Sequence, residues 1–521
     1  MFHKPTLILK STYAAITLSR VTIAFFLFSL IHCFAQGIIQ ALLYSVDSEF
    51  EGVVTQIIQA ARIPLQNLTL LQGSPNHWTL SMCDDIPHGQ PRYPCSVIFQ
   101  SGVGVGKTPG AVEAGIRDSV SILQDYNAGF TVAPSFDSNN SLAGVTVESS
   151  AAAPVFLSRQ CARILMYPQQ VLQNSVREDI AFIFFQFWLM GVSLFGVSRG
   201  SIPHMLTALG SRFLITAWSS YILIYRTNSQ KGIFQEMVST PGTECGVELF
   251  PTYFGTRYAF NVADAVLNFS ALFVSGLLSW KLLKVYKAQS VKRVGAPENV
   301  MRIYKFFMAV QAVLQLEVFV LIVATSLWVD LLTKTAISVL STHTTLYNAL
   351  ILATTILVIP WIALGWYGVR LERKSFIISF LGVGFFFIAG WSIMFYSIVY
   401  RWSFVQWPYL ACFGVASFIL IIASMVLATI CWRNFDQGLA EYLHAEAALA
   451  DFTPEVFQHS DIEKSGEKNG DFYTYDEPDF PLPTFHAKAH SRSGSNSSFP
   501  APIRGPPPSY DKPYSGKPMP F

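Results

Sequence analysis

The chain has 521 residues, of which 51% are hydrophobic, 14% aromatic and only 13% charged, and its 35 basic and 33 acidic residues leave a net charge of +2. An ordinary soluble domain carries about a quarter charged residues, so the composition excludes a soluble globular protein. The near-neutral balance argues against a nucleic-acid partner.

Residues 1–35 resemble a secretory signal or signal anchor. His3, Lys4, Lys10 and Arg20 precede an apolar stretch from Val21 to Ala35, and Cys33 and Ala35 are small enough for a cleavage site before Gln36. Cleavage is the expectation. The apolar character continues through Tyr44, however, and retention as an anchor raises the span total from seven to eight; either way the following segment is exported.

Residues 36–179 are too polar to cross lipid and form the expected extracytosolic domain. Alternation in Asn67–Leu71, Trp78–Met82 and Thr131–Val132 predicts short strands, and Gly110–Tyr126 has the spacing of an amphipathic helix. Four of the seven cysteines, Cys83, Cys95, Cys161 and Cys245, fall on the exported side, as an oxidising compartment allows. Three pairings are open to them. The preferred one closes a short Pro-containing loop with Cys83 and Cys95 and ties the domain to the 226–257 loop with Cys161 and Cys245; free thiols are the rival reading. Cys33, Cys412 and Cys431 read as small apolar membrane residues. Asn67 and Asn139 begin N-glycan acceptor triplets. Ser101 to Thr108 looks like a phosphate-cradling loop, but Ser101 stands where the first glycine is required, so a flexible turn is expected there instead.

Seven apolar runs follow, at 180–198, 203–225, 258–280, 303–328, 337–368, 376–399 and 403–431. Each approaches the ~20 residues needed to cross ~30 Å of hydrocarbon, where backbone groups must bond internally, so each is read as a helix. The expected fold is an all-α membrane bundle of seven transmembrane helices (180–431), preceded by a small disulfide-braced α+β domain and followed by a disordered tail. Basic residues cluster in alternate loops: Lys281, Lys284, Lys287, Lys292, Arg293, Arg302, Lys305, Arg370, Arg373, Lys374, Arg199 and Arg433 against Arg226, Lys231, Arg257, Lys334 and Arg401, or 12 against 5. Positive charge resists translocation, so the tail is assigned to the cytosol and the head to the other side.

Within the runs, Glu317 sits mid-span, where an ionised side chain costs about 3 kcal/mol. Asn261, Asp264, Asn268 and Ser275 share one helical face, as do Gln311 with Gln315 and Ser338 with Thr342 and Thr345; these stripes are expected to point into the bundle as interhelical glue or a solvated cavity. Pro360 predicts a kink, and Trp328, Trp366, Tyr367, Trp402 and Trp407 sit at span ends, as in an interfacial belt. His343 reads as a lone hydrogen-bonding group. With no His-rich cluster, no paired intramembrane aspartates and no Gly-x-Ser-x-Gly turn, neither an enzyme nor a metal or cofactor site is expected.

Beyond Cys431, residues 434–450 are amphipathic enough for a helix along the inner membrane surface (the juxtamembrane segment 432–450), and 451–521 should be disordered. That tail contains Pro507, Pro508 and Tyr510 in a Pro-Pro-x-Tyr element, which resembles the ligand of WW-domain ubiquitin ligases.

Arg177-Glu178-Asp179-Ile180 with Phe185-Gln186-Phe187-Trp188, then Lys292 to Ala296, Arg401-Trp402, and Cys431 with Asn434-Phe435, Gly438-Leu439 and Tyr442-Leu443 are similar to strings in a fungal family of polytopic membrane proteins without an assigned activity. The resemblance covers roughly 155–445, implies a seven-span architecture and carries over no functional residue. The layout also looks like that of seven-transmembrane receptors and Golgi-type seven-span proteins, by analogy alone. Two functions are expected to compete. One is a receptor-like or trafficking protein of the plasma membrane or a secretory-pathway endomembrane, with an extracytosolic partner outside and WW proteins inside. The other is a proton- or ion-coupled secondary transporter using Glu317 and the Asn261, Asp264 and Asn268 stripe.

Overall fold

A computed structural model describes residues 12–64, 67–87, 95–102, 130–149, 152–294, 298–340 and 344–444. The predicted 110–126 helix, Thr342, His343 and the Pro-Pro-x-Tyr element lie outside them.

The first helix, α1 (Arg20–Ala60), starts at a capping box: Ser19 Oγ accepts from Thr22 N at 3.1 Å and Thr22 Oγ1 accepts from Ser19 N at 3.0 Å. Its 41 residues extend about 60 Å, enough to cross a bilayer and project well beyond it. The helix runs unbroken through Gln36, and Phe25, Ser29, His32 and Cys33 are all buried. A cut before Gln36 would strip those side chains from the bundle. Residues 36–60 continue this helix, and its far end packs under the sheets.

Two antiparallel three-stranded sheets follow, in the orders β1-β2-β3 and β4-β5-β6. The strands are β1 (Leu68–Ser74), β2 (His77–Cys83), β3 (Cys95–Gln100), β4 (Phe130–Phe136), β5 (Leu142–Ser149) and β6 (Ala152–Ser158). β1, β2 and β4 coincide with the predicted strands. Gly144 is required where β5 meets β6, because a Cβ there would lie 2.2 Å from Leu157 O. Cys83 bonds Cys95 across the β2–β3 ladder, and Cys161 bonds Cys245 across 84 residues of sequence. The sheets have no separate core: Leu80, Val145, Val147 and Leu157 pack on Val53, Val54, Ile57 and Ile58 of the projecting end of α1, together with Phe234, Met237, Phe250 and Tyr253.

The remaining elements are α2 (Arg159–Ile164), α3 (Met166–Ser198), α4 (Ile202–Tyr221), α5 (Thr227–Phe234), α6 (Tyr253–Val294), α7 (Glu298–Lys334), α8 (Ile337–Leu340), α9 (Thr344–Arg370), α10 (Lys374–Tyr396), α11 (Ile398–Gln406) and α12 (Pro408–Arg433). Among the described residues, seven helical segments are long and apolar enough to cross a membrane: α1, α2 with α3, α6, α7, most of α9, α10 and α12. The sequence-predicted second span, α4, is not among them, since it carries His204, Thr207, Ser211, Arg212, Thr216 and Ser219. It nevertheless runs alongside α3. Met205 near its start packs on Gly196 at the end of α3, and Arg226 just past its end pairs with Glu178, twelve residues inside the start of α3. Phe25 packs with Val197 and Met205, and Tyr442 with Tyr304, so both lie at the end of the bundle away from the sheets.

The observed elements differ from the predicted runs in detail. The predicted fifth run starts late: Ser338 lies in the separate turn α8, and α9 begins only at Thr344, continuing without interruption past the exposed Pro360. The seventh run divides at Pro408, because the residue before a proline is driven out of the α region; Trp407 has φ −131° and ψ 88°. The tryptophans Trp328, Trp402 and Trp407 are buried rather than lipid-facing, while Trp280 and Tyr367 are exposed. At the far end Phe435, Leu439 and Tyr442 are buried, Tyr442 edge-on to Tyr304 of α7, so residues 435–443 pack onto the bundle.

Candidate functional site

The functional side chains gather where α1, α3, α4 and α6 meet. Helical spacing arranges them in two tiers: Gln36, Gln40 and Asp47 fall on one face of α1, and Arg257, Asn261, Asp264 and Asn268 on one face of α6.

The tier nearer the sheets is ionic. Arg257 Nη1 lies 2.6 Å from Asp47 Oδ2 and donates to Asp47 Oδ1 at 2.8 Å; Tyr253 Oη donates to the same Oδ1 at 2.9 Å and also meets Arg257. Arg226 pairs with Glu178 Oε2, whose Oε1 accepts from Trp407 Nε1 at 2.7 Å. Asp179, next to Glu178 on α3, is buried as well. Every one of these side chains is at least about nine-tenths withdrawn from solvent, the regime in which a charge is tolerated only with a partner.

The deeper tier centres on Asp264. Its Oδ1 accepts from Gln36 and, at 2.7 Å, from Gln40 Nε2; its Oδ2 accepts from Ser219 and, at 3.2 Å, from Asn268 Nδ2. Asn261 Nδ2 donates to Thr227 Oγ1 at 3.1 Å. The predicted stripe Asn261, Asp264, Asn268 and Ser275 is buried along its whole length. Deeper still, Arg212 Nη1 meets His32 Nδ1 at 3.1 Å and sits 5.7 Å over the Phe28 ring. A cavity of about 20 Å³ between the tiers, bordered by Gln40, Asp179, Arg257, Asn261 and Asp264, has room for a single water.

Glu317 stands apart, on α7 facing α12. It is fully buried, neither carboxyl oxygen accepts an aligned hydrogen bond, and Ser424 is the polar side chain that bears on it. Gln311 and Gln315 on the same helix reach Trp366 O at 3.5 Å and His204 Nδ1 at 3.2 Å. The sequence grouped Glu317 with the α6 stripe as one path; the fold puts them on different helix pairs.

A larger pocket, about 330 Å³, opens where the first sheet meets the bundle. Thr69 of β1, Gln170, Gln173 and Arg177 of α3, Lys334 of α7 and Gln406 of α11 line it. Arg177 Nε donates to Asp330 Oδ2 at 2.5 Å, Lys334 Nζ lies 2.9 Å from Asp330 Oδ1, and the Arg177 guanidinium lies 5.9 Å from the Trp407 ring. Both disulfide candidates are formed as preferred, whereas the two glycan candidates differ. Asn139 is exposed in the β4–β5 turn, whereas Asn67 is half-buried with its Nδ2 on Met82 Sδ at 3.0 Å, and Thr69 is buried with its hydroxyl donating to Gln170 Oε1 at 2.6 Å. Ser101 serves the structure too: its Oγ accepts from Trp78 N at 3.0 Å and donates to Glu236.

Asp47, Glu178, Asp179, Arg226 and Arg257 escaped the sequence reading because hydropathic runs stop at the first charge. The usable signal was helical spacing of polar residues: His32, Gln36 and Gln40 four apart, then Asp47 after seven more. No protein-family model, no curated protein and no solved structure matches the chain.

Proposed function

We propose that the chain is a receptor-like multi-pass membrane protein whose extracytosolic face binds a small ligand in the pocket between β1, α3, α7 and α11. The supporting observation is that pocket: at about 330 Å³ it falls in the range of small-molecule sites, and it lies at the junction of two structural units, where such sites concentrate. Its floor residue Arg177 touches Trp407, which holds Glu178, so an occupant would sit two contacts from the buried ionic tier. The sheets face a secretory lumen or the cell exterior in this reading, with Asn139 open to glycosylation, and the tail through Pro507, Pro508 and Tyr510 recruits WW-domain proteins in the cytosol.

The pocket is tested by screening small polar amphiphiles for thermal stabilisation of the full-length protein in detergent, beside Gln173→Trp, which fills the cavity. A ligand at 100 times its Kd stabilises by about 2.7 kcal/mol; the shift is expected in the parent and lost in the variant. Equal shifts in both proteins would remove the site. For the tail, Tyr510→Ala is expected to accumulate at the cell surface, and an unchanged distribution and half-life would discard WW-dependent turnover. A second reading, a proton- or ion-coupled carrier, is favoured by one observation: Asp264 is held by four neutral side chains beside a water-sized cavity. Proton-dependent uptake into vesicles that Asp264→Asn abolishes and tail deletion spares would support it.

A further inference from the structure

We propose that the pocket between β1, α3, α7 and α11 takes an anion, a carboxylate or phosphate on a small apolar body, with Arg177 and Lys334 as its charged contacts. The inference rests on the pocket reading above and adds the charge of the occupant.

The first ground is the sign of the lining. Arg177 and Lys334 border the cavity, and among the described residues no carboxylate does. The nearby acids are engaged elsewhere: Asp330 holds both cations from outside the lining, Glu178 pairs with Arg226 and accepts from Trp407, and Glu51 accepts from Gln169 at 3.2 Å and from Thr55 at 3.0 Å. Asp330 is thus one carboxylate shared by two cations. An anion in the pocket brings that three-residue cluster to neutrality, whereas a cation there would meet two like charges.

The second ground is what Arg177 has left to give. Its side chain is buried and held on three sides: Nε donates to Asp330 Oδ2 at 2.5 Å, Nη1 donates to Asn174 Oδ1 at 3.0 Å, and the guanidinium lies 5.9 Å from the Trp407 ring. Nη2 donates to no described residue. A guanidinium fixed in this way has little side-chain entropy left to lose, and carboxylate and phosphate are the groups its planar fork fits. Lys334, 74% exposed at the rim, can swing its ammonium onto the same anion.

The third ground is the rest of the wall. Trp402, Leu331 and Ile337 border the cavity beside the Gln173 and Gln406 amides, so an apolar body has surface to cover next to the charged end. At about 330 Å³, near the lower limit of small-molecule sites, the cavity admits a small acid or one head group and not a whole phospholipid.

Thermal unfolding of the full-length protein in nanodiscs tests this with three probes of one shape: phenylpropanoate, phenylpropanamide and phenylpropylamine. In phosphatidylcholine discs the anion is expected to raise the melting temperature, and the amide and amine to leave it unchanged. Lys334→Glu reverses a rim charge without touching the core and should weaken the anion roughly 3- to 10-fold. Arg177→Gln should abolish its shift, and where that variant does not fold Lys334→Glu decides. Replacing part of the phosphatidylcholine by phosphatidylglycerol separates the sources of the acidic group. Stabilisation of the parent over Lys334→Glu by that lipid alone assigns it to a membrane head group, and by phenylpropanoate alone to a soluble acid; either result upholds the anion. An amide or amine that stabilises the parent as well as the anion does, with the shift lost in Gln173→Trp, overturns the charge assignment and leaves the pocket standing. An anion shift that Lys334→Glu leaves intact also overturns it, and no shift from any probe or from phosphatidylglycerol removes both readings.

Discussion

The two halves of the bundle hold helices together by opposite means. Around α1, α3, α4 and α6 the contacts are ion pairs and amides, with Arg257 on Asp47, Arg226 on Glu178 and four donors on Asp264. Around α7, α9, α10 and α12 they are rings: Trp361 stacks on Phe380 at 4.8 Å and donates to Phe380 O at 2.9 Å, Gly384 makes room for Met425 and Trp361, and Trp328 stacks on Tyr400 at 4.8 Å. In lipid there is no hydrophobic gain from bringing helices together, so either close packing or polar bonding must supply the attraction. The polar half also carries the sheets and the long-range disulfide, which makes it the half where outer and membrane-embedded structure are joined.

The largest expected effect comes from cutting that joint. Cys161→Ser with Cys245→Ser opens a loop of 84 residues, and the chain-entropy relation puts the loss near ~4.5 kcal/mol. Denaturant unfolding in detergent should show the polar half separating from the aromatic half as an earlier transition. A single unshifted transition would mean that the halves are not distinct.

Next is Arg257→Leu, which strands Asp47 without its guanidinium and is expected to cost about 4 kcal/mol, as for other buried pairs broken from one side. Asp47→Asn added to it should restore most of that loss, since a missing pair is cheaper than a half pair. In the other half Trp361→Phe keeps a ring against Phe380 but removes the bond to Phe380 O, for about 1–2 kcal/mol. The Arg257 and Trp361 effects should add, because no partner is shared; coupling above ~0.5 kcal/mol would contradict the division.

This division explains what could be read from the residues beforehand. The aromatic half is continuous apolar sequence, and hydropathy located α7, α9, α10 and α12, missing only the late start of α9 at Thr344 and the break before Pro408. In the polar half the Asn261 to Ser275 stripe was legible because its residues recur at helical spacing inside an apolar run. The ionic tier was not, because Arg226, Arg257 and Asp179 sit where a run ends, and a charge there looks the same whether it faces solvent or a partner. The α1 contribution was hidden for another reason: a basic start and a short apolar core satisfy a secretory leader and a bundle helix equally well, and the residues that meet α6, Gln36, Gln40 and Asp47, lie past that core. β3, β5 and β6 lack clean alternation because their ladders carry register shifts and a glycine contact.

The smallest effect lies at the opposite end of the bundle, in the turn between α9 and α10. Glu372 adopts φ 49°, is partly buried, and leaves Oε1 without a hydrogen bond. Burial raises its carboxyl above the usual glutamate value, the backbone N–H groups of Asp436 and Ala440 pull it back, and the charges of Asp436 and Glu441 raise it again. With the folded value above the unfolded one, the native state binds this proton more tightly than the unfolded chain does. Its contribution is therefore favourable in acid and is lost as pH rises through the folded value. Glu372→Gln, neutral at every pH, should match the parent in acid and melt slightly higher at pH 7, the gap opening across the carboxylate range. A variant less stable at pH 7 would show that the two backbone donors outweigh burial, and that this turn is held by charge as firmly as the α1–α6 contact at the other end.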